Sequence, residues 1–304
     1  MDYCLESTGL QKQYGHFRAL DGLDIHVPAG AIYGLVGKNG AGKTTLIRII
    51  SGLQEPTGGE YRLYGTPCTD KRINRARRRM GAVVETPSVY LDMSARDNLR
   101  QQYRVLGMPD FKGIDELLSL VGLADTGRKK ARNFSLGMKQ RLGIAVSLCG
   151  NPDFLVLDEP INGLDPEGIV EMRELILRLN REKGITFLVS SHILDELSRL
   201  ATHYGFIDRG VMLRELSAQE LTAHERKCVR VNVTDLGALC RVLDNMGLEY
   251  GVVSNSECDV FGEIRITPFT LALAKENCEV LSIHERNENL ESFYMNLVGG
   301  GDNA

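Results

Sequence analysis

The chain has 304 residues, 43% of them hydrophobic and 25% charged, with a formal net charge of −4. That length exceeds one average domain and favours a large domain with a smaller appendage. The acidic balance weighs against a nucleic-acid binder, and no apolar run approaches the ~20 residues needed to span a membrane.

The start, Met1-Asp2-Tyr3-Cys4-Leu5-Glu6, lacks the basic-then-apolar order of a secretory signal, so a cytoplasmic location is expected. Residues 1–30 alternate in short apolar and polar runs and turn at Pro28-Ala29-Gly30, the texture of antiparallel strands. Within them Tyr14 offers either a ring to stack on a base or a strand-end residue packing on the core. Ala31 to Val36 then reads as a buried strand, and Leu46-Ile47-Arg48-Ile49-Ile50 as a helix. Between them lies Gly37-Lys38-Asn39-Gly40-Ala41-Gly42-Lys43-Thr44-Thr45, which fills every position of G-x-x-x-x-G-K-[ST]. In this strand–turn–helix context the glycines let backbone N–H groups converge on phosphate oxygens and the helix start adds partial positive charge. Lys43 is expected to reach the β- and γ-phosphates, and the Thr44 hydroxyl to sit on Mg²⁺.

Gln54 to Glu60 is a turn cluster, and Tyr61 to Gly65 a strand. Lys71 to Arg79 is basic without interleaved aromatics, which favours a solvated helix face over a nucleic-acid patch. Gly81 to Glu85 reads as a short buried strand ending on a carboxylate. Ser94 to about Leu123 is helical, with Leu99, Tyr103, Leu106, Leu117, Leu118 and Val121 at three-to-four spacing. Ser135 and Gly137 precede a helix predicted over Leu142 to Cys149; they are an N-cap or a second phosphate-binding helix end. Phe154 to Glu159 is an apolar strand closed by two acids, as at the ligand-binding carboxyl end of a central parallel strand. Asp158 is the expected Mg²⁺ partner, and Glu159 stands where a carboxylate can polarise a water attacking the γ-phosphate. Asn162 to Pro166 is a turn, Glu167 to Glu182 a helix, and Thr186 to Ser190 a further buried strand ending at His192, a candidate γ-phosphate contact. The seven cysteines (Cys4, Cys68, Cys149, Cys228, Cys240, Cys258 and Cys278) show neither C-x-x-C nor zinc-ligand spacing, and read as idle thiols.

Together these pieces resemble the ATP-binding subunit of ABC transporters, over roughly residues 3–220. The likeness is carried by their order and by the signature segment Ser135–Gln140 lying 18 residues before Asp158-Glu159. The resemblance implies an α/β P-loop NTPase with a RecA-like parallel sheet core, an antiparallel β subdomain and a helical signature subdomain at about residues 87–150. It places the ATP-binding domain at 1–221 and a small C-terminal α+β accessory domain at 222–304. It also implies two subunits paired head to tail, with each ATP between one P-loop and the other signature. Tyr14 would stack on adenine, while Gly37, Asn39, Gly40, Gly42, Lys43, Thr44 and Thr45 bind the phosphates. Ser135 and Gly137 would close over the partner's ATP, Asp165 would link the two sites, Glu159 would be the base and His192 the γ-phosphate sensor. The implied cofactors are ATP and Mg²⁺. The implied partners are a separate transmembrane permease and a second ATP-binding subunit, without nucleic acid, which puts the chain on the inner face of the cell membrane.

Two departures stand out. Glu85 replaces the family's usual glutamine, and the signature reads Phe134-Ser135-Leu136-Gly137-Met138 instead of L-S-G-G-Q. Glu85 is open to three roles: ligating Mg²⁺, pairing with a basic group on the membrane subunit, or slowing hydrolysis. Glu85-Thr86-Pro87-Ser88, the signature and Glu159 to Pro166 look like the bacitracin- and lantibiotic-resistance branch, whose ATPases drive the clearing of peptide antibiotics from the membrane. The alternatives are a soluble ABC ATPase acting on ribosomes or DNA, and a slow nucleotide-gated regulatory module.

Beyond Thr222 the sequence predicts strands at Cys228 to Val233, Tyr250 to Val253, Glu263 to Ile266 and Val280 to His284. Helices are predicted at Leu236 to Met246, Phe269 to Glu276 and Leu290 to Leu297, with a frayed end over Gly299 to Ala304.

Overall fold

The computed structural model describes residues 2–224, 228–262, 264–286 and 290–299. It divides into two compact units, Met1–Ala218 and Gln219–Ala304.

In the first unit, β1 (Tyr3–Tyr14) and β2 (Phe17–Pro28) form a long hairpin. Next come β3 (Ile32–Val36) and α1 (Lys43–Ile50), which buries Leu46, Ile47, Ile49 and Ile50 at about 1.5–3 kcal/mol each. β4 (Gly58–Leu63) and β5 (Thr66–Pro67) return to the hairpin, completing an antiparallel sheet of order β2-β1-β4-β5. The strand expected at Tyr61 thus begins three residues earlier: Gly58 and Gly59 fit against Gln11 and Gly9 of β1, where a Cβ on Gly59 would lie 2.0 Å from the Gly9 carbonyl.

The basic segment forms only a short helix, α2 (Ile73–Arg77), whose basic side chains are mostly exposed, as expected of a solvated face. Ile73 and Ala76 are buried, Arg77 donates to the Tyr61 hydroxyl, and Arg79 pairs with Asp153. After β6 (Met80–Val83), the expected helical stretch splits into α3 (Ala95–Val105) and α4 (Ile114–Leu120). Gly107 and Gly113 break it with φ of 68° and 89°. α5 (Leu136–Leu148) starts six residues before the predicted Leu142 because the signature is itself its first turn. β7 (Phe154–Asp158), α6 (Pro166–Lys183), β8 (Thr186–Ser191), α7 (Leu194–Ser198), β9 (His203–Asp208) and β10 (Val211–Ser217) complete the unit.

The central sheet has the order β10-β9-β3-β8-β7-β6, parallel except for edge strand β10. Strands β3, β7 and β8 are buried at every residue, which is why they read as unbroken apolar runs.

Helix α8 (Ala218–His224) leads to the second unit: β11 (Cys228–Val233), α9 (Leu236–Met246), β12 (Glu249–Val252), β13 (Glu257–Phe261), α10 (Ile266–Lys275), β14 (Val280–Arg286) and α11 (Leu290–Gly299). Its βαββαβ order and antiparallel sheet β12-β13-β11-β14 make the split β-α-β arrangement of ferredoxin-like folds. The strand expected at Glu263 to Ile266 is not one: the strand is β13, and Ile266 opens α10. Cys258 and Val260 alternate inward there, a period-two signal hidden among acids. Glu263 itself, and the predicted frayed end beyond Gly299, lie outside the described residues.

None of the seven cysteines is in a disulfide; burial pushes the Cys149 thiol up to about 12 and Cys258 up to about 11, so both stay protonated and inert at neutral pH. Among the described residues no helix is long and apolar enough to cross a membrane.

Candidate functional site

The parallel strands β3, β7 and β8 deliver their carboxyl ends to one edge of the sheet, where the loop of residues 37–42 turns into α1. Gly40 and Gly42 adopt φ of 83° and 113°, closed to most side chains. A Cβ on Gly37 would lie 2.6 Å from the Ile207 carbonyl, and one on Gly42 2.7 Å from that of Ala19. The turn is wedged between β9 and β2, which fixes its glycines physically. Asn39 and Gly40 are exposed, Thr44 and Thr45 are half-buried, and the first N–H groups of α1 have no intrahelical acceptor.

Lys43 is buried, and its ammonium donates to the carbonyls of Gly37 (2.6 Å) and Lys38 (3.3 Å). Its Nζ also lies 3.2 Å from Glu159 Oε1. That oxygen is buried without an aligned hydrogen bond, so the contact is coulombic more than directional. The other Glu159 oxygen lies 2.8 Å from His192 Nδ1. Lys43, at the start of α1, is thereby joined to Glu159 and His192, which directly follow the neighbouring strands β7 and β8.

Glu159 leaves β7 in a left-handed conformation, φ 49°. Ser190, fully buried in β8 and in register with Asp158, holds both acids. Its hydroxyl donates to Asp158 Oδ1 at 2.6 Å and accepts the Glu159 N–H at 2.9 Å. Neither Ser190 nor Arg48, below, was singled out by sequence; the only signal for Ser190 is its place two residues before His192.

The remaining expected residues lie apart from this cluster. Glu85, φ 59°, sits two residues past β6, and its carboxylate pairs with Arg48 of α1. Ser135 caps α5, accepting from Met138 N at 3.2 Å, so the N-cap reading describes its contact within the chain. Gly137 lies inside the first turn of α5, 3.7 Å from Leu164 by its would-be Cβ. Asp165 caps α6 through the Gly168 N–H at 3.2 Å. Signature and Asp165 turn therefore adjoin each other. Tyr14, at the hairpin tip, is 41% exposed; its hydroxyl donates to Gln54, and the Lys12 ammonium lies 5.3 Å over its ring.

Two cavities flank the sheet. One of about 680 Å³ runs along edge strand β6 beside Thr86 and Ser88, with Leu106 and Arg78 on its walls. Another of about 720 Å³ opens at the opposite ends of the parallel strands, and there Tyr64, Arg79 and Asp153 satisfy one another.

Comparison with known proteins agrees with this geometry. The family model described as ABC transporter matches residues 20–162. The bacitracin transport ATP-binding protein BcrA of Enterococcus faecalis is 37% identical, over 99% of this chain and 98% of its own length. The lantibiotic transport ATP-binding protein SrtF of Streptococcus pyogenes is 42% identical, over 69% of this chain and 90% of its own. The structure of cbiO1 from Clostridium perfringens, part of the ABC transporter complex cbiONQ, superposes with a TM-score of 0.66 at 26% identity, over 74% of this chain and 92% of that one. With this likeness over nearly its whole length, the chain belongs to the ATP-binding subunits of ABC transporters, a family of ATPases.

Proposed function

We propose that this subunit drives a separate permease exporting peptide antibiotics of the bacitracin and lantibiotic kind, and that it works as a head-to-tail dimer. The substrate class rests on full-length similarity to a bacitracin transport protein and on the lantibiotic relative. The observation that carries the catalytic reading is the Lys43–Glu159–His192 cluster beside the P-loop.

The P-loop N–H groups bind phosphate oxygens, and Lys43 exchanges the Gly37 carbonyl and Glu159 for the β- and γ-phosphates. Glu159, oriented by His192, accepts a proton from the attacking water as its oxygen bonds to the γ-phosphorus. The bond from that phosphorus to the bridging oxygen breaks, and the electron pair leaves with ADP. His192 fixes the orientation of that carboxylate through its Nδ1 contact. The donor set fits a nucleotide-borne Mg²⁺. Thr44 and Asp158 would supply oxygens to it, and among the described residues no group of three His, Cys, Asp or Glu forms a dedicated cage. When bound, Mg²⁺ neutralises charge on the β- and γ-phosphates.

The exposed Ser135 turn, which makes no contact with the Lys43 cluster of its own chain among those described, supports a dimer in which it covers the ATP of a second copy. Tyr14 would stack on the base. The groove along β6, beside the Glu85 loop, suits a cytoplasmic segment of the permease, through which the chain is held at the membrane.

Purified protein is expected to hydrolyse MgATP. Glu159→Gln should still bind ATP, form a stable dimer on gel filtration and lose at least about a hundredfold in turnover. Unchanged turnover would remove Glu159 from the reaction. Coexpressed with its permease in a sensitive bacterium, wild type should raise bacitracin or lantibiotic tolerance and Glu159→Gln should not.

A further inference from the structure

The four residues 85–88 lie between the two helices that carry phosphate-binding ends. On one side the Glu85 carboxylate pairs with Arg48. Arg48 follows Thr44 by four residues in α1, so the two side chains share a face one turn apart. On the other side Pro87 packs on α5 at Gly143, where a Cβ would meet the Pro87 ring at 2.8 Å. Only a glycine permits that approach. The strap is thus fixed to the P-loop helix by charge and to the signature helix by shape.

We propose that Arg48 is a positioning residue. It holds the Glu85 carboxylate against the P-loop helix, at a residue one turn past Thr44, and ties movements of this strap to that helix. Of the three roles open to Glu85 from sequence, the geometry replaces metal ligation with an internal latch. A carboxylate loose in this loop would place negative charge beside the triphosphate; neutralised by Arg48, it becomes compatible with turnover. The inference rests on the ATPase site proposed above.

The pair is 37% and 52% exposed, so it adds little to overall stability, and its loss should leave the melting point nearly unchanged. The test is a double-mutant cycle on the full chain with two readouts. The first is hydrogen exchange at the Glu85, Thr86 and Ser88 amides in nucleotide-free protein. Arg48→Met and Glu85→Gln should each raise it several-fold, the double variant no further, and Arg48→Lys should stay near wild type. The second is MgATP turnover: Arg48→Met should fall by about tenfold, and adding Glu85→Gln should recover the loss by removing the freed charge. Unchanged exchange in Arg48→Met, or additive effects in either readout, would overturn the proposal. A wild-type protein without MgATP hydrolysis would instead overturn the ATPase reading, and the exchange cycle would still decide whether the latch exists.

Discussion

Ser190 carries more of the site than its residue type announces. Its one hydroxyl both donates to the Asp158 carboxylate and accepts from the N–H of Glu159, a residue held at φ 49°. Left-handed backbone costs a side-chain-bearing residue about 1–2 kcal/mol, so something must hold it. Ser190→Ala would leave a buried carboxylate oxygen without its donor and remove the second acceptor of that N–H, a loss of about 1–3 kcal/mol in unfolding free energy. Turnover should fall about 10- to 100-fold, because the two acids lose their common support, while the Km for ATP, set by the P-loop, changes far less. Chemical denaturation and steady-state kinetics on the same preparation check both. The residues legible from sequence were those with a motif around them: Lys43, Thr44, Asp158, Glu159 and His192. Ser190 and Arg48 were not, since a serine in a strand and an arginine in a helix are ordinary. Their roles arise from the register of β7 on β8 and from the meeting of α1 with a loop 37 residues later.

At the scale of elements, the strongly apolar strands were legible because both their faces are covered; the exposed breaks in the helical subdomain were not, because Gly107 and Gly113 interrupt a pattern whose apolar spacing continues through them. The hairpin β9–β10 carries no motif and went unread, yet Ile207 of β9 shapes the P-loop turn. Helix α4 depends on neighbours in a way no local pattern reveals. Its last carbonyls, which have no intrahelical donors, accept from two arginines: Leu120 from Arg178 of α6, and Val121 from Arg141 of α5 at 3.3 Å. Positive charge at a helix C-terminus also complements its dipole. Arg178→Met keeps the aliphatic stem and removes the donor, and should destabilise the protein by about 1–2 kcal/mol in denaturant titration. Its Nε is buried without a partner, so part of the loss is returned and the larger end of that range is not expected.

At the scale of the whole molecule, the division of labour within one chain predicts how two chains cooperate. Lys43, Glu159 and His192 form one group and Ser135, Gly137 and the Asp165 turn another, so under the proposed head-to-tail pairing each ATP sees the first group of one copy and the second of its partner. Lys43→Ala removes the cation from the P-loop; Ser135→Arg, at an exposed helix start, blocks the signature without touching the core. Each variant alone should be nearly inactive, since both sites of its homodimer carry the same defect. Mixed in equal amounts, half the pairs are heterodimers, with both lesions in one site and none in the other. Turnover should then return to about a quarter of wild type per chain, if sites act independently and closed twofold pairing holds. Recovery to that level would establish both self-association and the head-to-tail arrangement. No recovery, with each variant still folded and the Ser135→Arg chain still binding ATP, would mean that the signature partner is a different chain or that both sites must fire together. Adding the Lys43→Ala chain in excess to wild-type protein separates these two outcomes: a strict two-site requirement suppresses wild-type turnover, whereas failure of like chains to pair leaves it untouched.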